Sequence, residues 1–149
     1  MLPPLSRVFE ICLYSLLNFF PFLIFALYPF LDDLRFSRTK TGLLIVVLTF
    51  LQILFGLLAC FSTGNISAVL SLISTLSYAF FYFTVIRKSP GQLLFVLLMI
   101  SNIANLVVIT AKCLEGQFFP DFALLPYRYS MSLFMVIVES FILIPVFIF

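Results

Sequence analysis

The sequence contains no histidine, and only 14 of its 149 residues carry a formal charge. Without histidine, the chain cannot supply a Ser-His or Cys-His nucleophilic pair, a histidine metal ligand or a phosphoaccepting histidine. It also lacks a G-x-x-x-x-G-K-S/T loop and a G-x-G-x-x-G turn, the glycine-rich motifs that cradle nucleotide phosphates. We therefore expect no catalytic residue, no metal and no cofactor in this segment.

Cysteine is also scarce. The three cysteines, Cys12, Cys60 and Cys113, are scattered along the chain and odd in number. This pattern does not fit a disulfide framework or a cysteine metal cluster. We expect all three to act as small apolar side chains.

Apolar residues are abundant instead. Hydrophobic residues make up 64% of the chain, charged residues 9%, and the mean hydropathy is +1.26. Soluble domains carry about 25% charged residues, so this composition indicates an integral membrane protein. A helix needs roughly 20 apolar residues to cross about 30 Å of hydrocarbon. The composition predicts an all-α, polytopic transmembrane helix bundle that forms a single module.

Five apolar runs predict five membrane spans, at about 8–30, 41–61, 66–86, 92–111 and 130–149. They are separated by the charged stretch FLDDLRFSRTKTG, the short link STGN, the loop RKSPG and a longer connection at 112–129. The short link predicts that the second and third spans are antiparallel neighbours. The last run stops without a polar tail, so we expect a piece of a longer protein, the alternative being a chain that ends inside the bilayer.

Two carboxylates interrupt the apolar runs. Glu139 lies in the middle of the fifth span, where an ionisable residue is a functional candidate that faces the bundle interior or a cavity. The alternative is a protonated carboxyl group that forms a hydrogen bond to a neighbouring helix. Glu10 lies near the start of the first span, close to Arg7, and we expect it to reach the membrane interface.

Uncharged polar residues form stripes on two spans. Asn102 and Asn105 are three residues apart on the fourth span, and a second stripe on the third consists of Ser67, Ser71, Ser74 and Tyr78. Such stripes either join helices through hydrogen bonds or line a cavity for a ligand. The asparagines are expected to face other helices and not lipid.

Basic residues predict the orientation. The connections after the first and third spans carry Arg35, Arg38, Lys40, Arg87 and Lys88. The opposite side has Arg7, Lys112 and Arg128, spread over a tail and a longer loop. By the positive-inside rule, the first group faces the cytoplasm. We expect a multi-pass protein of the cell membrane with its N-terminus outside and its C-terminus in the cytoplasm.

The stretch Leu16–Ala59 resembles the membrane region of bacterial sensor histidine kinases with a GHKL-type ATPase domain, the AgrC-like group of two-component quorum-sensing receptors. The resemblance rests on LNFFPF, ALYPF, LRFS and LTFLQILFG, which flank the charged loop. The acceptor histidine and the ATP-binding boxes of that family are absent here. The resemblance implies a sensor module without its kinase domain, a peptide or small-molecule signal and a homodimer.

Two functions remain open at this point. The first is signal input, in which a ligand changes helix packing and the change reaches a cytoplasmic kinase. The second is a small transporter, or a fragment of one, in which Glu139 or Glu10 exchanges protons or binds a cation. Both need a lipid bilayer as partner, and neither involves nucleic acid.

Overall fold

A computed structural model describes residues 5–62, 64–124 and 127–148, and it confirms the all-α fold class. The helices are α1 (Leu5–Leu27), α2 (Arg38–Phe61), α3 (Asn65–Val85), α4 (Pro90–Phe118), the one-turn α5 (Pro120–Ala123) and α6 (Tyr129–Ile148). A 3-10 turn, Tyr28–Phe30, follows α1. The described residues contain no strand, only one isolated bridge between Leu34 and Ile86.

Four helices are long and apolar enough to cross a membrane: α1 with its 3-10 turn, α2, α3 and α4. This agrees with a membrane location. The apolar part of α6 in the described chain, Tyr129–Pro145, is shorter than the other four. A fifth crossing therefore stays a prediction, and its last residue, Phe149, lies outside the described residues.

The helix boundaries follow local sequence signals. The Ser37 hydroxyl accepts a hydrogen bond from the Lys40 backbone N–H at 3.4 Å and caps α2. Pro90 occupies the first turn of α4, where its missing N–H costs nothing. Gly64 precedes α3 with a φ of 62°, a conformation that glycine adopts readily. Thr63, the other central residue of the predicted turn, lies outside the described residues.

The largest difference from the predicted boundaries is at the end of α4. The helix continues about two turns past Ala111 to Phe118, so 112–118 is helical and not part of an irregular connection. Lys112 and Glu115 are three residues apart and form an ion pair along the same helix face. This pair supports the last turns of the helix.

Helix α1 lies at the centre of the packing. It contacts α2, α4 and α6, while α3 packs mainly on α2 and more weakly on α4. The Tyr82 hydroxyl donates to the Ala26 carbonyl at 3.1 Å, which ties α3 to α1 inside the core. The buried core of α1, α3 and α4 includes Phe22, Leu23, Ala26, Leu27, Phe81, Val85, Leu93, Ile100 and Val107.

Two loops are joined into what we call the strap, formed by residues 33–35 and 85–87. The Arg35 N–H donates to the Val85 carbonyl at 2.7 Å, and the Arg87 N–H donates to the Asp33 carbonyl at 2.8 Å. The Arg35 Nε–H adds a bond to the Ile86 carbonyl at 3.1 Å. The strap fixes both loops at the same end of the bundle, which we call the loop end.

The five basic residues used for the orientation gather at this loop end, in the strap, directly after it and in the first turn of α2: Arg35, Arg38, Lys40, Arg87 and Lys88. Two acidic residues accompany them. Lys88 lies 3.0 Å from an Asp33 carboxylate oxygen, and Arg38 lies 3.7 Å from Asp32. Which side of a membrane this end faces stays a prediction.

Candidate functional site, a polar groove between four helices

A groove of about 380 Å³ lies between α1, α2, α3 and α4. Its polar lining consists of Tyr14, Ser15, Asn18, Gln52, Ser71, Ser74, Thr75, Tyr78, Ser101, Asn105 and Tyr127. Apolar residues of the same helices complete its walls. Such a volume is at the lower end of the range found for small-molecule sites.

Helical spacing builds each wall of the groove. On α3 the lining residues are Ser71, Ser74, Thr75 and Tyr78, which are three or four residues apart and share one face. On α2, Gln52, Gly56 and Ala59 repeat the same spacing. The small residues Gly56 and Ala59 leave space on α2, and Phe55 and Leu70 are the larger apolar residues that these two helices contribute to the walls.

Gln52 organises the wall between α2 and α3. Its side-chain amide donates to the Ser74 carbonyl at 2.9 Å and to the Ser77 hydroxyl at 3.2 Å, and the Ser74 hydroxyl donates to its amide oxygen. The side chain is 8% exposed. In a hydrocarbon environment an amide needs such partners, so Gln52 holds α2 and α3 in a fixed register.

Aromatic residues line the groove along its length. The Tyr78 ring packs edge-on against Phe19 with centroids 5.4 Å apart, and the rings of Tyr14 and Tyr127 lie 4.7 Å apart. The Tyr78 hydroxyl is buried and has no hydrogen-bond partner among the described residues. A buried hydroxyl without a partner is costly, and a ligand in the groove would supply one.

The groove carries no charged side chain among the residues that line it. Asn18, Ser71, Thr75, Ser101 and Asn105 are exposed, so the groove is open. It offers hydroxyl and amide groups for hydrogen bonds and aromatic faces for stacking, but no acid, base or nucleophile activated by a neighbour. This arrangement suits reversible binding of an uncharged ligand.

The structure separates the residues that the sequence grouped. Ser71, Ser74 and Asn105 line the groove. This is the arrangement expected if the polar stripes line a cavity for a ligand. Asn102 does not; it is exposed, and its amide N–H donates to the Leu98 carbonyl of its own helix at 2.9 Å. Asn102 forms this bond within its own helix, so the expectation that it faces another helix stays a prediction.

Glu139 is buried, as expected, but it does not line the groove. It is 6% exposed and lies on the inner face of α6, which packs against α1 and α4. One of its carboxyl oxygens, Oε1, has no partner among the described residues, and the same holds for the hydroxyl of Ser132, two turns earlier. The alternative prediction for Glu139 was a carboxyl group that forms a hydrogen bond to a neighbouring helix. At Oε1 the described residues provide no such bond.

The end opposite the loop end, where α1 and α6 begin and α4 finishes, buries two carboxylates; we call it the ion-paired end. Arg7 lies 2.9 Å and Arg128 3.4 Å from Glu10, whose side chain is 5% exposed. The two arginines enclose Glu10 between α1 and the start of α6. That Glu10 lies at the membrane interface stays a prediction.

Glu115 is the second carboxylate of this end, and its side chain is fully buried. Lys112 lies 2.7 Å from it, and the Ser130 hydroxyl donates to its other oxygen. The hydrogen bond from Ser130 joins α4 to the first turn of α6. The sequence interpretation missed this residue because it placed Lys112–Tyr129 in a connection.

Gln52, Asn18 and Ser101 were also missed as site residues. Each is a polar residue inside an apolar run, which is the same signal that identified Asn102 and Asn105. Gln52 and Asn18 are amides and therefore could have been found, whereas a single serine is too common in spans to stand out.

Comparisons of the chain with protein-family models, with known proteins and with solved structures find no match. The function is therefore inferred from the groove and the two ends of the bundle.

Proposed function

We propose that this chain is the membrane-embedded input module of a sensor histidine kinase, which binds an uncharged ligand in the polar groove and passes a change in helix packing to a cytoplasmic kinase domain. One observation carries the proposal: an open groove, lined by uncharged hydrogen-bonding groups, lies between four helices that are apolar enough to cross a membrane. The resemblance of Leu16–Ala59 to such receptors is consistent with it.

The contacts of α6 suggest how the signal would travel. The groove is lined by α1 and α4, and α6 packs on these same two helices. A ligand that changes the spacing of α1 and α4 would therefore shift the surface on which α6 rests. Since α6 starts at the ion-paired end and runs toward the loop end, it would deliver the change on the side of the basic residues.

The proposal requires the loop end to be cytoplasmic, with the N-terminus outside. Five lysines and arginines lie in two short connections at that end, and short loops are where the positive-inside rule has most force. Phosphatase and fluorescent-protein fusions at Lys40, Gly64, Ser89, Gly116 and Phe149 test the orientation. Phosphatase activity is expected at Gly64 and Gly116 alone, and activity at Phe149 would contradict the proposal.

Signal input itself is tested with a chimera. The full chain is joined to the cytoplasmic kinase part of an unrelated two-component receptor with a transcriptional reporter. Ser71→Phe fills the groove from an exposed lining position, and Leu72→Phe places the same ring on the neighbouring exposed surface of α3. Reporter output should change with the first variant and not with the second, at equal membrane levels. Equal outputs would contradict signal input through the groove.

Transport is the second candidate, and the unpartnered oxygen of buried Glu139 is the observation that favours it. Proteoliposomes with an imposed pH gradient and an internal pH-sensitive dye test this function. Proton flux that depends on the protein and disappears with Glu139→Gln would favour transport. We favour signal input because Glu139 is not among the residues that line the groove.

A further inference from the structure

One exposed row of residues on α4, outside the groove, is apolar except at Asn102. We call it the α4 outer face; its residues recur every three or four positions and are all exposed: Phe95, Leu98, Asn102, Leu106, Ile109 and Cys113. Its exposed apolar members are 54–65% exposed. In a membrane this face would contact lipid tails, and Asn102 would be the polar residue among them.

Asn102 lies deep in the span. At 1.5 Å per residue it is about 18 Å from Pro90 at one end of α4 and about 24 Å from Phe118 at the other. The hydrocarbon core is about 30 Å thick, so neither end of the helix brings this side chain to water. Asparagine is too short to reach the interface as a lysine or arginine side chain does.

The amide of Asn102 is only partly satisfied. One N–H donates to the Leu98 carbonyl at 2.9 Å, and this bond stays within α4. No described residue donates a hydrogen bond to the amide oxygen, which is an acceptor on an exposed side chain. An unpaired amide oxygen in hydrocarbon is costly, and lipid tails cannot supply a donor.

We propose that the α4 outer face is an interface with a second copy of this chain, in which the two Asn102 side chains form hydrogen bonds to each other. An asparagine amide carries both donor and acceptor, so it is complementary to itself across a two-fold axis. A second copy supplies the missing donor at the correct depth because the same residue sits at the same level of the same span. Polar residues of this kind join transmembrane helices.

The rest of the face fits such a contact. Leu98 and Leu106 flank Asn102 one turn away on either side, and Phe95 and Ile109 extend the surface by a further turn. The α4 outer face is distinct from the surfaces that α4 uses against α1 and α6, so a second copy could pack there without disturbing the bundle. The inference requires neither a ligand in the groove nor a kinase domain.

Cross-linking in lipid vesicles tests the position of the interface. In a background of Cys12→Ala, Cys60→Ala and Cys113→Ala, single cysteines are introduced as Leu98→Cys or Leu106→Cys on the α4 outer face. Phe50→Cys on α2 and Phe141→Cys on α6 are the controls, since the replaced residues are 73% and 78% exposed. Oxidation should give covalent dimers with the α4 variants only. Dimers of equal yield at the controls, or no dimer at α4, would overturn the proposal.

Energy transfer between labelled copies in vesicles of decreasing protein-to-lipid ratio tests the role of the amide. Asn102→Leu should weaken association about threefold to thirtyfold, the range expected from one interhelical hydrogen bond. Ser140→Leu removes an exposed polar side chain that also bonds a carbonyl of its own helix, lies outside the groove and the α4 outer face, and should leave association unchanged. Association that is unaffected by Asn102→Leu, or a chain that stays monomeric at all ratios, would show that something other than a second copy covers this face.

Discussion

The two ends of this bundle differ in how far their charged side chains are exposed. At the loop end, Arg38 and Asp32 form an ion pair in which the side chains are 82% and 97% exposed. At the ion-paired end, the side chains of Glu10 and Glu115 are 5% and 0% exposed and each has basic or hydroxyl partners. At the first end both partners of this pair reach water, whereas at the second the carboxylates are buried and only their basic partners are partly exposed.

This difference suggests which contacts fix the arrangement of the helices. Exposed ion pairs contribute about 0–1 kcal/mol, whereas removing one partner of a buried pair leaves an uncompensated charge. The ion-paired end therefore specifies how α1, α4 and α6 meet. The loop end relies on the backbone hydrogen bonds of the strap and uses its charges for contact with water and headgroups.

The largest effect is expected at the ion-paired end. Lys112→Leu leaves the carboxylate of Glu115 buried with only a hydroxyl partner, and should lower the free energy of unfolding by about 3–5 kcal/mol. Unfolding by sodium dodecyl sulfate in mixed micelles measures this change.

The matched control is the double variant Lys112→Leu, Glu115→Leu, which removes both charges. It should recover most of the loss, because an apolar pair of similar volume often replaces a buried ion pair without cost. If Lys112→Leu is as stable as the unchanged chain, the ion pairs of the ion-paired end contribute no more to stability than those of the loop end.

A charge in the middle of the bundle should be nearly as harmful. Glu139→Lys places an ammonium group between α6 and its neighbours, and insertion scales give about 2.5–3.5 kcal/mol for a charge at a helix centre. Glu139→Gln keeps the size and polarity of the side chain and should leave membrane insertion nearly intact. Equal membrane yields of the two variants would show that this position is accessible to water.

Two glycines of α2 allow the packing near the two ends of the bundle to be compared. A Cβ at Gly56, toward the ion-paired end, would collide with the Ser15 side chain of α1, whereas Gly42, near the loop end, has nothing within 4 Å. Gly56→Ala should cost about 1–3 kcal/mol by overpacking. Gly42→Ala should stabilise by about 0.5–1 kcal/mol because alanine favours the helix. Thermal unfolding in detergent measures both, and a neutral Gly56→Ala would mean that α1 and α2 separate easily.

The smallest effects are expected at the loop end. Lys88→Ala removes a half-exposed partner of Asp33 and should cost about 0.2–1 kcal/mol, and Arg38→Ala should have no measurable effect. Raising the salt concentration should reduce the difference between Lys88→Ala and the unchanged chain. If either variant lowered the free energy of unfolding by several kcal/mol, charged residues at the loop end would also stabilise the bundle.

Much of the helical framework follows from the sequence. Hydropathy and the charged breaks located the starts of α1 to α4 and α6 within about three residues, but placed the end of α4 about two turns too early. Long apolar runs are easy to recognise because crossing hydrocarbon demands them. The stripe on α3 correctly placed Ser71 and Ser74 on one face, since helical spacing alone determines which residues share a face.

The neighbours of each face could not be predicted in this way. Glu10 meets Arg128, 118 residues later, and no local pattern indicates that contact. The two asparagines of α4 were grouped because they are three residues apart, yet Asn105 borders the groove and Asn102 does not. What a helix face contacts depends on where the other helices lie, and hydropathy contains no information on their positions.

The strap also constrains the order in which the bundle can assemble. It joins residue 35 to residue 85, so the hydrogen bonds between the two loops cannot form until the ribosome has delivered all of α2 and α3. Closing a chain segment of this length carries an entropic cost, but that cost grows only slowly with length. Once the strap is closed, α2 and α3 are tethered at both ends, and α4 enters a partly formed bundle whose first three helices already have defined neighbours.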